Sequence, residues 1–173
     1  MKKTSRIYKS VEAFFIKNKW QFSIDEKSND MHMEFQGIHA KWICSAHSYE
    51  DRNQFVFYSN IPVQVPKEKR MLISEFLNRA NYRQVIGNWE IDLDRGLIRF
   101  KTSIDIEGVE FQEKLINYVI MPNVVAADKY LPGIVSVLDG QQSPKEAISF
   151  IDNAAALKED TSKKVDFEKS KPD

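Results

Sequence analysis

The sequence predicts an α+β domain built on an antiparallel sheet of about six strands, in the order α-ββββ-α-ββ-α, packed by helices. Two observations support this fold class. Apolar residues recur every three to four positions in some stretches and at every second position in others. Clusters of Gly, Asn, Asp and Ser separate the alternating stretches, as in an antiparallel meander. With 173 residues, 42% of them hydrophobic, the chain can bury a core.

The first predicted element is a helix that begins after Thr4 or Ser5 and ends near Lys19. Either hydroxyl can accept a hydrogen bond from a free N–H group of the first turn, so both residues are candidate N-caps. The apolar face of this helix consists of Ile7, Val11, Phe14 and Phe15.

Four strands follow, because the apolar period changes to two. The turn sequences "KSND" and "YEDRN" and the residue Gly37 separate them. One face of the resulting sheet is expected to be buried and the other to be largely exposed to solvent. The predicted buried residues are, strand by strand, Trp20, Phe22 and Ile24; Met31, Met33 and Phe35; Ala40, Trp42, Cys44 and Ala46; and Phe55, Phe57 and Ser59.

Val56 and Tyr58 lie on the opposite face of the fourth strand from Phe55 and Phe57, because neighbouring residues of a strand point to opposite sides. The second face of the sheet is therefore not wholly polar. We interpret Val56 and Tyr58 as a candidate partner-binding surface.

A second helix is predicted to begin with Pro66 at its first position and to end near Tyr82. Two further strands follow and form a hairpin. The predicted apolar residues are Leu72, Ile73, Phe76, Leu77 and Ala80 in the helix, Trp89, Ile91 and Leu93 in the fifth strand, and Ile98, Phe100, Ile104 and Ile106 in the sixth.

The sequence "DLDRG" at the hairpin tip admits two interpretations. If Ile91 pairs with Ile98 across the two strands, the residues between them form a tight turn in which Gly96 can adopt a positive φ. The alternative is a calcium loop, but the glycine is fifth rather than sixth, and Ser103 stands where the twelfth position needs a glutamate. The pattern therefore favours a structural turn around Asp92 and Asp94.

A long helix starts near Phe111, and we expect Pro122 to interrupt it and Pro132 to bend or break it. The sequence "SPKE" from Ser143 to Glu146 predicts a capping box for a last helix. We divide the chain into a domain over residues 1–142, an additional helix over 143–157 and a charged, disordered tail over 158–173.

Charge and composition exclude several classes of partner. Lys plus Arg and Asp plus Glu both number 25, and this balance argues against a dedicated nucleic-acid binder. No apolar run approaches the length of a membrane span, and none near the basic start resembles the core of a signal peptide. The single cysteine, Cys44, suits a reducing compartment. We therefore expect a cytoplasmic protein that binds neither nucleic acid nor membranes.

Catalytic and metal-binding motifs are absent from the sequence. Cys44 and His47 point to opposite faces of one strand, and His39 lies about 26 Å from His47 along an extended chain. We therefore expect no enzyme activity, no cofactor and no metal. Four aromatic residues could form a base-stacking platform, but they lack basic neighbours, so a core role is favoured. These residues are Trp42, Phe55, Phe57 and Tyr58.

Three stretches, "FLNRAN", "GNWEIDLDRGLIRF" and "PNVVAADKYLPGIVSV", resemble the YbjN family, whose members are described as putative bacterial sensory transduction regulators. Together with the order of elements, the resemblance covers residues 5–140. The matching residues are Asn78, Arg79, Asn81, Gly87, Asp92, Gly96, Arg99, Asn123, Asp128, Tyr130 and Pro132.

This resemblance implies a fold like that of type III secretion chaperones, which are often dimeric and bind extended segments of other proteins. It carries no catalytic residues, and it implies a role in bacterial stress or sensory regulation. The first hypothesis is therefore a homodimeric, non-enzymatic regulatory or chaperone-like module with a protein partner of unknown identity. The alternative is a small-molecule sensor or weak enzyme with a pocket between the sheet and the long helix. The candidate functional or structural polar residues are Arg79, Asn81, Arg99, Asp128 and Tyr130.

Overall fold

The computed structural model describes residues 5–154, which form one six-stranded antiparallel sheet with helices packed on its inner face. The strand order is β1-β2-β3-β4-β6-β5, which confirms the predicted fold class. The elements are α1 (Arg6–Lys17), β1 (Ser23–Ile24), β2 (Met31–Gln36), β3 (Lys41–Tyr49), β4 (Gln54–Gln64), a 3₁₀ helix (Lys67–Lys69), α2 (Arg70–Asn81), β5 (Asn88–Asp92), β6 (Leu97–Asp105), α3 (Glu113–Leu138) and α4 (144–154).

The long helix α3 is bonded to the middle of the sheet through buried polar side chains. The amide nitrogen Nδ2 of Asn123 lies 3.0 Å from the carbonyl oxygen of Phe57 in β4 and 3.2 Å from that of Phe100 in β6. The Thr102 hydroxyl donates to the carbonyl oxygen of Val119 at 2.8 Å. All five residues are buried. These bonds fix the position of α3 on the sheet, between α1 and α2.

The N-terminus of α1 is capped by a distant carboxylate. Ser5 holds the N-cap position but makes no side-chain capping bond. Instead, Glu50 in the β3–β4 turn accepts hydrogen bonds from the backbone N–H groups of Ile7 (3.2 Å) and Tyr8 (2.8 Å). The prediction that Ser5 caps this helix is therefore wrong, because a residue 45 positions away occupies its role. Thr4 and residues 155–173, including the predicted tail, lie outside the described part of the chain.

The first strand is shorter than predicted, and the second helix starts later. Only Ser23 and Ile24 form β1, and Ile24 is exposed. The segment before β1 does not join the strand, because Trp20 stacks on Phe15 of α1. Pro66 precedes the 3₁₀ helix, so α2 itself begins at Arg70. Leu72 faces outward rather than into the core.

The β5–β6 hairpin has the predicted register, with Ile91 opposite Ile98. Its loop is longer than the predicted tip: residues 93–96 form the turn, and Leu93 is half-exposed rather than part of the apolar face. Gly96 has φ +73° and lies against β4, where a Cβ atom would come within 2.2 Å of the Val65 carbonyl oxygen. The positive φ and the close approach both require glycine here.

Two prolines lie inside α3 without breaking it, contrary to the prediction for Pro122 and Pro132. A proline at position 132 has no N–H group for the carbonyl oxygen of Asp128, one turn earlier. His39, in the β2–β3 turn, donates from its ring Nδ1 to that carbonyl oxygen at 3.1 Å. A long-range bond therefore replaces the helical one, and the helix continues to Leu138.

The last helix, α4, starts with the predicted capping box, which is confirmed by reciprocal bonds between Ser143 and Glu146. Ala147, Ile148 and Ile151 of α4 belong to the same hydrophobic cluster as the sheet and α3. The division of the chain at residue 142 stays a prediction; within the described residues, α4 shares the core of the preceding elements.

Candidate protein-binding surface

The outer face of the sheet, opposite to the helices, carries a linked group of aromatic and charged side chains. His47 of β3, Tyr58 of β4, Arg99 and Lys101 of β6 and Glu90 of β5 project from four adjacent strands. We call these five residues the outer-face cluster. Antiparallel pairing sets Tyr58 opposite Lys101 and Arg99 opposite Glu90, so residues far apart in the chain become neighbours.

Tyr58 is the centre of this cluster. The guanidinium carbon of Arg99 lies 4.2 Å from the centroid of the Tyr58 ring, which is a cation–π contact. The His47 ring meets the same ring edge-on, with centroids 5.2 Å apart and planes at 82°. The ring is therefore held from two sides by rigid neighbours and is preorganised as a contact surface.

Ion pairs surround the aromatic centre. The Arg99 Nε and Lys101 Nζ atoms each lie 2.7 Å from a different oxygen of the Glu90 carboxylate. At the other side, His47 Nδ1 lies 2.9 Å from the Oδ1 atom of Asp30, a residue just before β2. Such half-exposed charged groups favour orientation and specificity in binding more than raw affinity.

The ionisation states follow from burial and these contacts. Burial raises the pKa of the Tyr58 phenol above its usual value, so the ring stays neutral near pH 7. Burial also lowers the pKa of His47, against the opposing effect of Asp30, and favours a neutral imidazole. Burial alone would raise the pKa of Glu90, but hydrogen bonds from Lys101 and Arg99 outweigh it and keep the carboxylate ionised.

Apolar residues border the cluster. Ile43 is 48% exposed and Tyr49 39% exposed on the same face of β3. Val56, which we interpreted as a contact residue, is only 9% exposed. Val56 is therefore largely covered by neighbouring side chains, whereas Tyr58 is half-buried and accessible. The arrangement is a rigid aromatic and aliphatic surface with a charged rim, as in protein interfaces.

The remaining candidate residues lie away from this surface. Arg79 pairs with Glu75, one turn earlier on α2, with Nη2 and Oε1 2.7 Å apart. Asn81 exchanges two hydrogen bonds with the backbone of Trp89 and so joins α2 to β5. Tyr130 is buried, with its ring edge-on to Trp89. In these positions the three side chains support the fold.

Asp128 connects α3 with the β2–β3 turn. Its Oδ1 atom accepts a hydrogen bond from the backbone N–H of His39 at 3.0 Å. A Cβ atom at Gly37 would come within 2.3 Å of that oxygen, so the turn approaches the helix closely only because residue 37 is glycine. Asp128 therefore has a visible structural role.

The layer between the sheet and α3 is filled by large apolar side chains, and its buried polar residues Asn123 and Thr102 bond to the backbone. Phe55, Phe57 and Phe100 of the sheet are fully buried, as are Ile116 and Ile120 of α3. Arg79, Arg99 and Asp128, the polar groups that the alternative hypothesis assigned to a pocket in this layer, point elsewhere. A shallow concavity does occur at the surface, between the end of α1 and the start of α3, and Phe14, Asn18, Gln112 and Lys114 contribute to it.

The groups weighed as metal ligands or nucleophiles are engaged in structural contacts. Burial raises the pKa of the Cys44 thiol to about 11, so it is protonated at neutral pH and a poor nucleophile. Asp92 accepts bonds from the backbone N–H groups of Asp94 and Arg95, in keeping with a hairpin turn. Between residues 5 and 154, no three His, Cys, Asp or Glu side chains are grouped so as to hold a metal ion. Over the same residues, no helix is long and apolar enough to cross a membrane.

Sequence reasoning missed four contributors to the outer face: Asp30, His47 as a binding residue, Glu90 and Lys101. Alternation alone placed His47, Tyr58 and Arg99 on non-core faces of their strands. The strand order and the register decide which of them meet, and neither is readable from one sequence.

Comparison with solved structures identifies proteins of similar fold. A chain of the HopA1–SchA chaperone–effector complex matches with a TM-score of 0.53 at 12% identity, over 75% of this chain and 98% of that chain. A chain of the ExsC–ExsE complex matches with a TM-score of 0.54 at 15% identity, over 76% and 96%. These likenesses show a fold of the type III secretion chaperone kind.

The sequence identifies the family, and a solved structure of a protein with that name shares the fold. The crystal structure of YbjN from E. coli, described as "a putative transcription regulator", matches with a TM-score of 0.55 at 7% identity, over 72% of this chain and 87% of that chain. No curated protein matches the sequence. The family model of YbjN, "Putative bacterial sensory transduction regulator", matches residues 8–114, more than half of the chain. The chain therefore belongs to the YbjN family.

Proposed function

We propose that this protein is a non-enzymatic, chaperone-like regulatory module that acts as a homodimer and binds a segment of another protein through the outer face of its sheet. The observation that carries the proposal is the outer-face cluster itself: a preorganised Tyr58 ring with Arg99 and His47 against it, on the face that no described helix covers. The family and the chaperone complexes among the structural neighbours support the same class of function.

The chemistry of the surface suits a polypeptide. Tyr and Arg are enriched among the residues that dominate binding energy at protein interfaces. Ile43 and Tyr49 add apolar area for side chains of a bound segment, while Glu90, Arg99 and Lys101 offer both signs of charge at the rim. This mixed charge is a poor fit to nucleic acid, whose binding depends on a net positive surface.

A non-enzymatic role is supported by the state of the reactive groups. The Cys44 thiol is buried and protonated, the Asp92 carboxylate bonds within the hairpin turn, and the ionised carboxylate of Glu90 is paired with two cations. We also place the protein in the cytoplasm and in bacterial stress or sensory regulation. The family description supports the regulatory role, and the single free thiol suits a reducing compartment.

Site-specific photo-cross-linking in the native host tests this function. A photoreactive amino acid at position 43, on the outer face, is expected to give a discrete adduct with a second kind of protein. The same amino acid at position 145, exposed on α4, serves as the matched control and is expected to give none. Adducts of equal yield and identity at both positions, or no adduct at position 43, would contradict the proposal.

A further inference from the structure

One face of α3 carries an apolar stripe directed at solvent. Tyr118, Met121 and Val125 are 53%, 39% and 59% exposed, and Val135 is 39% exposed. With the exposed Pro132, these residues fall within an arc of about 100° on the helix circumference, given 100° per residue. We call these five residues the α3 seam. An exposed stripe of this kind is typical of an interaction site.

Charges of opposite sign stand at the two ends of the seam. Lys114 lies in the first turn of α3 and Asp139 caps its C-terminus, and both are exposed. The 25-residue separation corresponds to about 37 Å along the helix axis. Lys129 lies beside the seam, and its Nζ atom is 5.3 Å from the centroid of the Tyr130 ring. The seam is thus mainly apolar, with Lys114 at one end and Asp139 at the other. The half-buried Asp128 lies in the same arc near the middle, where its carboxylate accepts a hydrogen bond from the backbone N–H of His39.

We propose that the α3 seam binds the α3 seam of a second copy of this chain, with the two helices antiparallel. This inference rests on the proposed homodimer and names its surface. In this alignment Lys114 faces Asp139 of the second copy, Tyr118 faces Val135 and Met121 faces Pro132. Val125 faces Asp128, whose carboxylate is already bonded to the backbone N–H of His39 in its own chain. The two-fold axis repeats each contact, so the end charges and the two outer apolar pairs are matched within one pair of helices.

The end charges select both the occupant and its direction. In a parallel pair, Lys114 would face Lys114 and Asp139 would face Asp139, and like charges in an interface are unfavourable. In the antiparallel pair, each lysine also approaches the C-terminus of the other helix, where a cation is favoured. The same surface is therefore complementary to itself.

The arrangement leaves the outer face of the sheet free. Helix α3 packs on the inner face, where Asn123 and Thr102 hold it against β4 and β6. The α3 seam and the outer-face cluster are thus on opposite sides of the sheet. A dimer formed through α3 presents two outer faces to two segments of a bound protein, which increases avidity without new contacts.

Charge exchange tests the pairing. Light scattering of the full chain over a range of concentrations is expected to give twice the 20.1 kDa chain mass for the wild type. Lys114→Glu and Asp139→Lys are each expected to weaken the dimer at least tenfold, and the double variant to restore it. An acidic side chain is favoured near a helix N-terminus and a basic one near a C-terminus, so both substitutions are expected to retain the fold. Val85→Glu, at an exposed position outside the seam, is the matched control and leaves the dimer intact.

Cysteine cross-linking tests the direction. Cys44 is buried, so introduced cysteines are the reactive ones. The double variant Tyr118→Cys, Val135→Cys is expected to form covalent dimers on mild oxidation. Tyr118→Cys alone is expected to form none, because its two copies lie about 26 Å apart in the antiparallel pair.

Three results would overturn the inference. A wild-type chain that is monomeric at every concentration removes both the seam and the proposed homodimer. If the wild type is a dimer and the charge exchanges do not weaken it, antiparallel pairing through the α3 seam is excluded but the homodimer is not. The same conclusion follows if Tyr118→Cys alone forms covalent dimers. Partner binding is measured separately by the adduct from position 43, since that position lies on the other side of the sheet.

Discussion

The two faces of the sheet use polar side chains for different purposes. On the inner face, Asn123 and Thr102 are buried and bond to backbone carbonyls of the sheet and of α3. On the outer face, Tyr58, Arg99 and Glu90 bond to one another and remain partly accessible. Both groups contact the central strands β4 and β6, but the inner group bonds to backbone atoms, whereas the outer group consists of contacts between side chains.

Because of this difference, the polar residues that match the family do not all have the same role. A buried amide that satisfies backbone groups costs the fold heavily when it is removed. An exposed ion pair or cation–π contact contributes little to stability but defines the shape and charge of a surface. The free energy of unfolding and the binding of a partner should therefore respond to different substitutions.

The largest loss of stability is expected for Asn123→Ala. The substitution leaves the buried carbonyl groups of Phe57 and Phe100 without their amide donor, which costs about 1–3 kcal/mol. Chemical denaturation measures the free energy of unfolding. The control is Asn117→Ala, on the same helix but not fully buried, and a loss of equal size there would contradict the assigned role of Asn123.

A smaller loss, about 1 kcal/mol, is expected for Glu50→Ala. The carboxylate caps α1 from the β3–β4 turn, and its removal leaves the N–H groups of Ile7 and Tyr8 without a side-chain partner. Glu34→Ala removes an exposed carboxylate that pairs with Lys41 and serves as the control. Equal denaturation midpoints for the two variants would show that the cap has no energetic role.

The outer face is expected to make stability depend weakly on pH through His47. Burial lowers the pKa of the folded-state imidazole below its ordinary 6.5, so the unfolded chain takes up the proton first as pH falls. Stability is therefore lost as pH falls from about 6.5 through the lowered folded-state pKa. Asp30, which is 2.9 Å away, opposes this effect.

The comparison between wild type and His47→Gln isolates this contribution. The wild type is expected to lose more stability than the variant between pH 7 and pH 5. A wild type that gains stability relative to the variant over this range would show that the attraction of Asp30 outweighs burial, and the sign of the shift would be wrong.

Much of the architecture was predictable, because helices and strands leave a local period in the sequence. Hairpin register at Ile91 and Ile98 and the capping box at Ser143 also follow from short-range patterns. Two of the errors have the same cause, which is contact between distant residues. His39 satisfies the carbonyl freed by Pro132, and Glu50 replaces Ser5 as the cap of α1.

The candidate site was predictable only in part for the same reason. The alternation of β4 identified Tyr58 as an outward residue, but Val56 on the same face is covered by its neighbours. The meeting of Tyr58 with Arg99 and His47 depends on pairing across three strands. A sequence shows which face a strand residue occupies, whereas the sheet decides what lies beside it.

Tyr58→Ala separates binding by the outer face from stabilisation by the inner face. The variant carries the photoreactive amino acid at position 43, and both its unfolding free energy and its adduct yield are measured. We expect stability to change by less than about 1 kcal/mol, because Tyr58 lies outside the core, and we expect the adduct to be lost. An adduct that persists at the wild-type yield would show that the outer face is not the binding surface.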